Sequence, residues 1–387
     1  MAVDVDRLKP LTDKQRRLLA NTNDDDLTSV FGGYPRSFLR KQREKERKRR
    51  PPETTIKEDA ARFSDQARLR DAERLYRKAL EENQRLQQQI ERLAKMPDVE
   101  PRAVRIVGKP GEREATAVVL ASDWHAEEPV DPDQVNGLNE YSVEIFKRRA
   151  SHFFGNALRL LRKEAQAIEI RNLILWLGGD FISNSIHEDL AESNQLGPVD
   201  AIRLVQDTVA GGIRHMLAET PKELKLTIPC SSGNHGRMTQ ERRVQTEREN
   251  SIEWLMYAAL ADHFRDEKRV EFLLSRGYHS YVEAHGFLLR FHHGHAIGYG
   301  GGIGGITIPT YKKIAQWNKA RPAYLDLFGH FHSFFDGGNF VCNGSLIGYN
   351  EYAITIGASY EPPRQAFLLI DNKHGKTVVA PVLLEAV

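Results

Sequence analysis

Five apolar runs, each ending on a side chain that can ligate a metal, constrain this chain more than any other feature of it. TAVVLAS (116–122) leads into Asp123 and His125, NLILWLG (172–178) into Asp180, and LKLTIPCSS (224–232) into Asn234 and His235. FLLRF (287–291) leads into His292, His293 and His295, and YLDLFG (324–329) into His330 and His332. The steps from Asp123 to Asp180, Asn234, His293 and His330 are 57, 54, 59 and 37 residues, enough for one strand-helix-strand unit each with room for insertions. Short apolar runs of this make read as strands. Ser142 to Gln166, Pro198 to Leu217 and Asn250 to Phe264 read as helices between them. The alternation predicts an α/β layered domain over residues 115–387. In open sheets of that class ligands gather at the carboxyl ends of strands, so these groups are expected at one edge.

The seven donors Asp123, His125, Asp180, Asn234, His293, His330 and His332 include no thiolate. Carboxylate, amide and imidazole ligands suit two borderline divalent ions, with Mn first and Fe, Zn or Ni as alternatives. Asp180, with two carboxylate oxygens, is the natural bridge. Two ions about 3.5–4 Å apart hold a hydroxide between them and clamp a phosphoryl group for in-line attack. Such a centre needs no Ser or Cys nucleophile.

The motifs D-x-H, G-D, G-N-H, a His after a strand and G-H-x-H, in that order over about residues 117–335, resemble the calcineurin-like metallophosphoesterase superfamily. FVCNGSLIG and QAFLLID are expected to close a second sheet. The resemblance implies a two-sheet sandwich flanked by helices. It implies one ion on Asp123, His125, Asp180 and His332, and another on Asp180, Asn234, His293 and His330. It gives His235 the part of general acid or transition-state stabiliser beside Asp180. One departure stands out: where an acid often follows G-N-H, this chain has Gly236 and then Arg237. Glu241 or Asp189 is a candidate to supply that acid. Arg237, Arg242 and Arg243, with Arg248 beyond, are candidates to bind a phosphate oxygen. His292 is expected on the opposite face of its strand, and His295 as a partner that orients a ligand. Gly300, Gly302 and Gly305 match G-x-G-x-x-G, but TIPTYKK after them does not read as a clear helix start. A dinucleotide site is therefore set aside in favour of a flexible wall of the site.

The first region, 1–50, reads as a helix around Leu27 to Phe31, a Gly32-Gly33-Tyr34-Pro35 turn and a second, arginine-rich helix from Ser37. That is the outline of a helix-turn-helix. Between Arg36 and Arg50 nine basic residues face two acids, although the whole chain carries a formal charge of only +2. Arg36, Arg40, Lys41 and Arg43 are the candidates for nucleic-acid contact. RRPPETT breaks the helix and opens a 51–95 segment of linker and helix. Leu69, Tyr76, Asn83 and Ile90 fall at heptad a, and Ala72, Ala79, Leu86 and Leu93 at d, a seam for a homodimer through 69–93. Residues 96–114 read as a second linker.

Together these parts resemble phage-type metallophosphoesterases with a helix-turn-helix and, more distantly, double-strand-break-repair nucleases. The expectation is a binuclear-metal phosphodiesterase that cleaves DNA by attack of a metal-bridging hydroxide. A phosphomonoesterase or protein phosphatase on the same site is the alternative. So is a non-enzymatic DNA-binding protein on that scaffold. Cys230 and Cys342 sit in apolar runs and read as reduced core residues. No run approaches the roughly 18 residues of a membrane span, and MAVDVDRLKP has no secretory character. The expected location is cytoplasmic, the host cytoplasm for a phage protein.

Overall fold

An eight-residue strand such as EATAVVLA can be buried along its whole length only where both faces are covered, and the central strands of this protein are. The computed structural model describes residues 10–49, 103–109, 112–298 and 305–385, and six isolated positions between 70 and 84. The chain divides into two units, Met1–Gln88 and Gln89–Val387.

The second unit carries two six-stranded sheets. One is ordered β12 (Gly375–Leu383), β11 (Arg364–Asp371), β2 (Glu114–Ala121), β3 (Glu169–Leu177), β4 (Lys225–Cys230), β5 (Val270–Leu274). β2 to β5 run parallel, and β11 and β12 join antiparallel. Parallel neighbours need crossover connections, and helices supply them: α4 (Val143–Glu164), α5 (Glu188–Ser193), α6 (Pro198–Glu219) and α7 (Ile252–His263). Ser142 and Ser251 cap α4 and α7 through their side chains, and α6 opens on Pro198. The other sheet is ordered β1 (Val104–Ile106), β6 (Ser280–Ala284), β7 (Phe287–Phe291), β8 (Leu325–Phe328), β10 (Phe340–Cys342), β9 (Phe335–Asp336). The stretch read as a linker, 96–114, thus contains β1, which pairs in parallel with β6.

Period-two alternation divides the core. Val118, Leu120, Ile174, Trp176, Leu368 and Ile370 point between the sheets and meet Leu289, Phe291 and Leu327. Ala117, Val119, Leu173, Leu175 and Phe367 point the other way, against α4, α6 and α7. On the far face of the second sheet, α8 (Thr307–Ala320) lays Ile314 over Phe328, Phe340 and Cys342. TIPTYKK is therefore the opening of a helix, contrary to its sequence reading. Gly300 and Gly302 lie outside the described residues. Cys230 and Cys342 are buried and unbridged.

β7 and β8 share one buried ion pair. Arg290 Nε and Nη2 donate to Asp326 Oδ1 and Oδ2 at 2.6 and 2.9 Å, and Nη2 also reaches Asn318 Oδ1 at 2.9 Å. Both side chains are essentially inaccessible to solvent. Removing one partner would strand a buried charge, so Asp326→Ala is expected to cost about 3–5 kcal/mol of stability, read by urea unfolding.

The first unit packs α1 (Asp13–Asn21), α2 (Leu27–Val30) and α3 (Arg36–Arg49) around Leu11, Leu19, Leu27, Phe31 and Leu39. Thr12 and Gln15 form a capping box at α1, a helix absent from the sequence reading. The heptad positions assigned to the 69–93 seam all lie outside the described residues. Among the described residues, no helix is long and apolar enough to cross a membrane.

Candidate metal centre

β2, β3 and β4 run parallel in one sheet, and β7 and β8 run parallel in the other. All five release their last residues at one edge, where the sheets are tied together. His293 Nδ1 from the β7 loop lies 2.7 Å from Gly178 O at the end of β3. The His330 N–H from the β8 loop donates to Asp123 Oδ1 and Oδ2 at 3.0 and 3.1 Å.

Two groups of donors result. Asp123, His125 and His332 form one, and Asp180, His293 and His330 the other; within each group the ligand atoms lie within 4.8 Å of one another. Five of these six residues have left-handed backbone: φ is 57° at Asp123, 48° at His125, 53° at Asp180, 72° at His330 and 51° at His332. Non-glycine residues rarely sit there, and when they do the strain marks places where side-chain aim outweighs backbone comfort.

The donors are aimed but unused. His125 Nε2 and Asn234 Oδ1 are buried and make no hydrogen bond, and His293 Nε2 faces Asp180 Oδ2 at 2.9 Å. The other nitrogen of each imidazole is occupied. His125 Nδ1 lies 2.6 Å from Ser183 Oγ, whose hydroxyl in turn donates to Glu128. Glu128 Oε1 accepts from Asn350 Nδ2 at 2.9 Å. His293 Nδ1 faces a carbonyl, so it carries a proton and aims Nε2 at the Asp180 carboxylate. This is how partners behind a metal ligand fix its tautomer. Orphaned acceptors of this kind fit divalent ions. Burial, then the neighbouring His235, hold His125 well below the ordinary imidazole range. Burial and His293 do the same to His330. Neutral imidazole is the ligating form. His293 goes the other way, to about 10: burial would lower it, but Asp180 Oδ2 at 2.9 Å from Nε2 outweighs that.

Asp180 groups with His293 and His330 and not with the first group, which a bridging carboxylate was expected to join. His235 belongs to neither group. Its N–H donates to Asp180 Oδ1 at 2.8 Å and its Nδ1 lies 3.0 Å from Ser183 O. The group that orients it is thus a backbone carbonyl, not Glu241 or Asp189. An acid does stand beside Gly236, but from α7: a Cβ on Gly236 would lie 2.6 Å from Glu253 Cγ. Glu253 is fully buried, and burial, reinforced by the Asp180 carboxylate, pushes it up to about 8. Ser183, Glu128, Asn350 and Glu253 are absent from the sequence reading, because no motif marks them.

The cations are more dispersed. Arg237 Nη1 donates to Asn234 O at 2.6 Å, which fixes it against the G-N-H loop. Arg242 Nη1 donates to His295 O at 3.0 Å, and Arg243 is exposed. His295 faces Glu247, Nε2 to Oε1 2.9 Å, rather than the ring nitrogen of a ligand. His292 turns to the opposite face of β7 and stacks on Phe328 at 5.1 Å. In the first unit, Arg36 donates to Asp24 O and Asp25 Oδ1 at 3.0 and 3.4 Å, and Arg40 pairs with Asp24 at 2.7 Å. Arg43 bonds Thr22 O at 3.1 Å and also Asp24. Three of the four residues expected to contact nucleic acid therefore brace their own fold, while Lys41 is exposed.

No family model and no curated protein matches this chain. Among solved structures, the hypothetical protein PH1004 from Pyrococcus horikoshii OT3 is similar at 13% identity and a TM-score of 0.33, over 70% of this chain and 89% of its own. Vps29 from Chaetomium thermophilum is similar at 10% identity and a TM-score of 0.24, over 69% and 94%.

Proposed function

We propose that this protein is a phosphoester hydrolase that works with two divalent metal ions. The observation that carries this reading is the pair of Asp/His groups at one sheet edge, with His125 Nε2 and Asn234 Oδ1 buried and unpaired. Asp123, His125 and His332 would hold one ion, and Asp180, Asn234, His293 and His330 the other. When bound, such ions act as Lewis acids on a phosphoryl oxygen and make water a nucleophile at neutral pH.

The chain's own residues do the rest. Ser183 and Gly178 hold the His125 and His293 rings so that each presents Nε2. His235, fixed through Nδ1 on the Ser183 carbonyl, exchanges a proton with the leaving oxygen through Nε2. Arg237 and Arg243 stand at the loop that follows and offer charge to phosphate oxygens. The donor set, without thiolate, suits Mn first, with Fe, Zn or Ni next.

The finer reading is a phosphodiesterase acting on DNA, supported by the basic α3 helix and by Lys41 on its exposed side. Phosphomonoester hydrolysis is the second reading. The pairing of Arg36, Arg40 and Arg43 with Asp24 and Asp25 favours it, since it offsets positive charge on the surface that would meet DNA. Purified protein with Mn²⁺ is expected to cleave a bis-aryl phosphate faster than an aryl monophosphate and to cut labelled single- or double-stranded DNA. Faster monoester cleavage with intact DNA would select the second reading, and no hydrolysis of either ester would reject both.

A further inference from the structure

We infer that Glu253 is a positioning residue that staples the Asp180 loop to the Asn234–His235 loop, and that residue 236 is glycine to leave room for it. The proposal deepens the metal-centre reading and rests on it. Glu253 lies in the first turn of α7, with no exposed surface. Its Oε1 accepts the N–H of Phe181, the residue after Asp180, at 2.7 Å. Its Oε2 accepts the N–H of Gly233, the residue before Asn234, at 2.8 Å. One carboxylate therefore closes on two backbone donors, one beside each of two ligands of the same group.

The fit leaves no slack. A Cβ on Gly236 would approach Glu253 Cγ, Cδ and Oε2 at 2.6, 2.7 and 2.8 Å, and a Cβ on Gly233 would lie 2.0 Å from Asp180 Oδ1. One helical turn further along α7, the Tyr257 hydroxyl donates to Ser231 O at 3.1 Å, so the helix grips the same loop a second time. Buried N–H groups must be paired, and without Glu253 those of Phe181 and Gly233 have no replacement acceptor in view. Glu253 hydrogen-bonds none of Asp123, His125 and His332, which meet the Asp180 loop through backbone, as where the His125 N–H donates to Asp180 O at 3.2 Å. Glu253 is thus expected to govern the Asp180 group and spare the other.

The test is titration of the full-length chain with Mn²⁺ alone, followed calorimetrically and by metal analysis. The wild type is expected to take up two equivalents. In Glu253→Gln one oxygen becomes an amide that faces an N–H donor at unchanged volume. One equivalent should then bind as before and the other roughly 10- to 100-fold more weakly. Gly236→Ala should weaken the same equivalent, because its methyl displaces the carboxylate. Added to Glu253→Ala, where that space is vacated, it should weaken binding no further. Loss of both equivalents together, unchanged binding in Glu253→Gln, or additive effects of the two substitutions would each overturn the assignment. Glu253→Gln carries the test should Glu253→Ala fail to fold. A wild type that takes up no Mn²⁺ removes the metal-centre reading and this proposal with it, whereas two equivalents in wild type and variants alike removes this proposal alone.

Discussion

Asp180→Asn is expected to lower turnover by about three orders of magnitude or more and to cost at least one equivalent of bound metal. The substitution keeps the shape of the side chain and one oxygen, and removes the negative charge. That charge sits 2.9 Å from His293 Nε2 and also receives the His235 N–H at 2.8 Å. Lewis-acid stabilisation by a bound ion contributes several kcal/mol to such reactions, and each about 1.4 kcal/mol is tenfold in rate, which gives the expected size. His293→Ala should behave in the same way, because it removes a ligand of the same group. Steady-state rates on a bis-aryl phosphate, with metal analysis of the same samples, check both. Unchanged turnover and metal content in Asp180→Asn would reject the reading of this edge as the reaction centre.

His235→Ala is expected to separate the two properties. Turnover should fall by about 10²- to 10⁴-fold, the usual range for a positioned acid or base, while metal content stays at the wild-type level. The ring of His235 is held through Nδ1 on the Ser183 carbonyl and belongs to neither donor group. Its loss therefore removes a proton carrier and leaves the ligands in place. Metal loss in step with activity would make His235 a ligand instead. A leaving group of low pKa should recover part of the lost rate, because it departs without a proton.

The strand ends are legible in the sequence itself, since long apolar runs broken by D-x-H, G-D, G-N-H and G-H-x-H have few other readings. β2, β3, β4, β7 and β8 stand where those runs lie, and α4, α6 and α7 lie between them within a few residues of expectation. β5, β6 and β12 were not legible. VEFLL and SYVEA are short and carry Glu, and GKTVVAPVL contains Pro381, which suits its place on a sheet edge. The acidic partners of Arg36, Arg40 and Arg43 were equally hidden. A basic run shows its charge in sequence, but not that Asp24 and Asp25 fold back to meet it.

By itself the sequence determined the α/β class, the five strands that end in candidate ligands, and which side chains each of them delivers to its carboxyl end, because these depend on local periodicity and on residues close in the chain. Only the tertiary structure decided what stands behind the ligands. Glu253 meets Phe181 across 72 residues, Ser183 meets His125 across 58, and Asn350 meets Glu128 across 222. Those partners are set by how helices and loops pack on two sheets, and no spacing rule within a strand or helix encodes them. Gly236 shows the difference most directly: in the sequence it is a missing acid, and in the fold it is the space that the carboxylate of another helix fills.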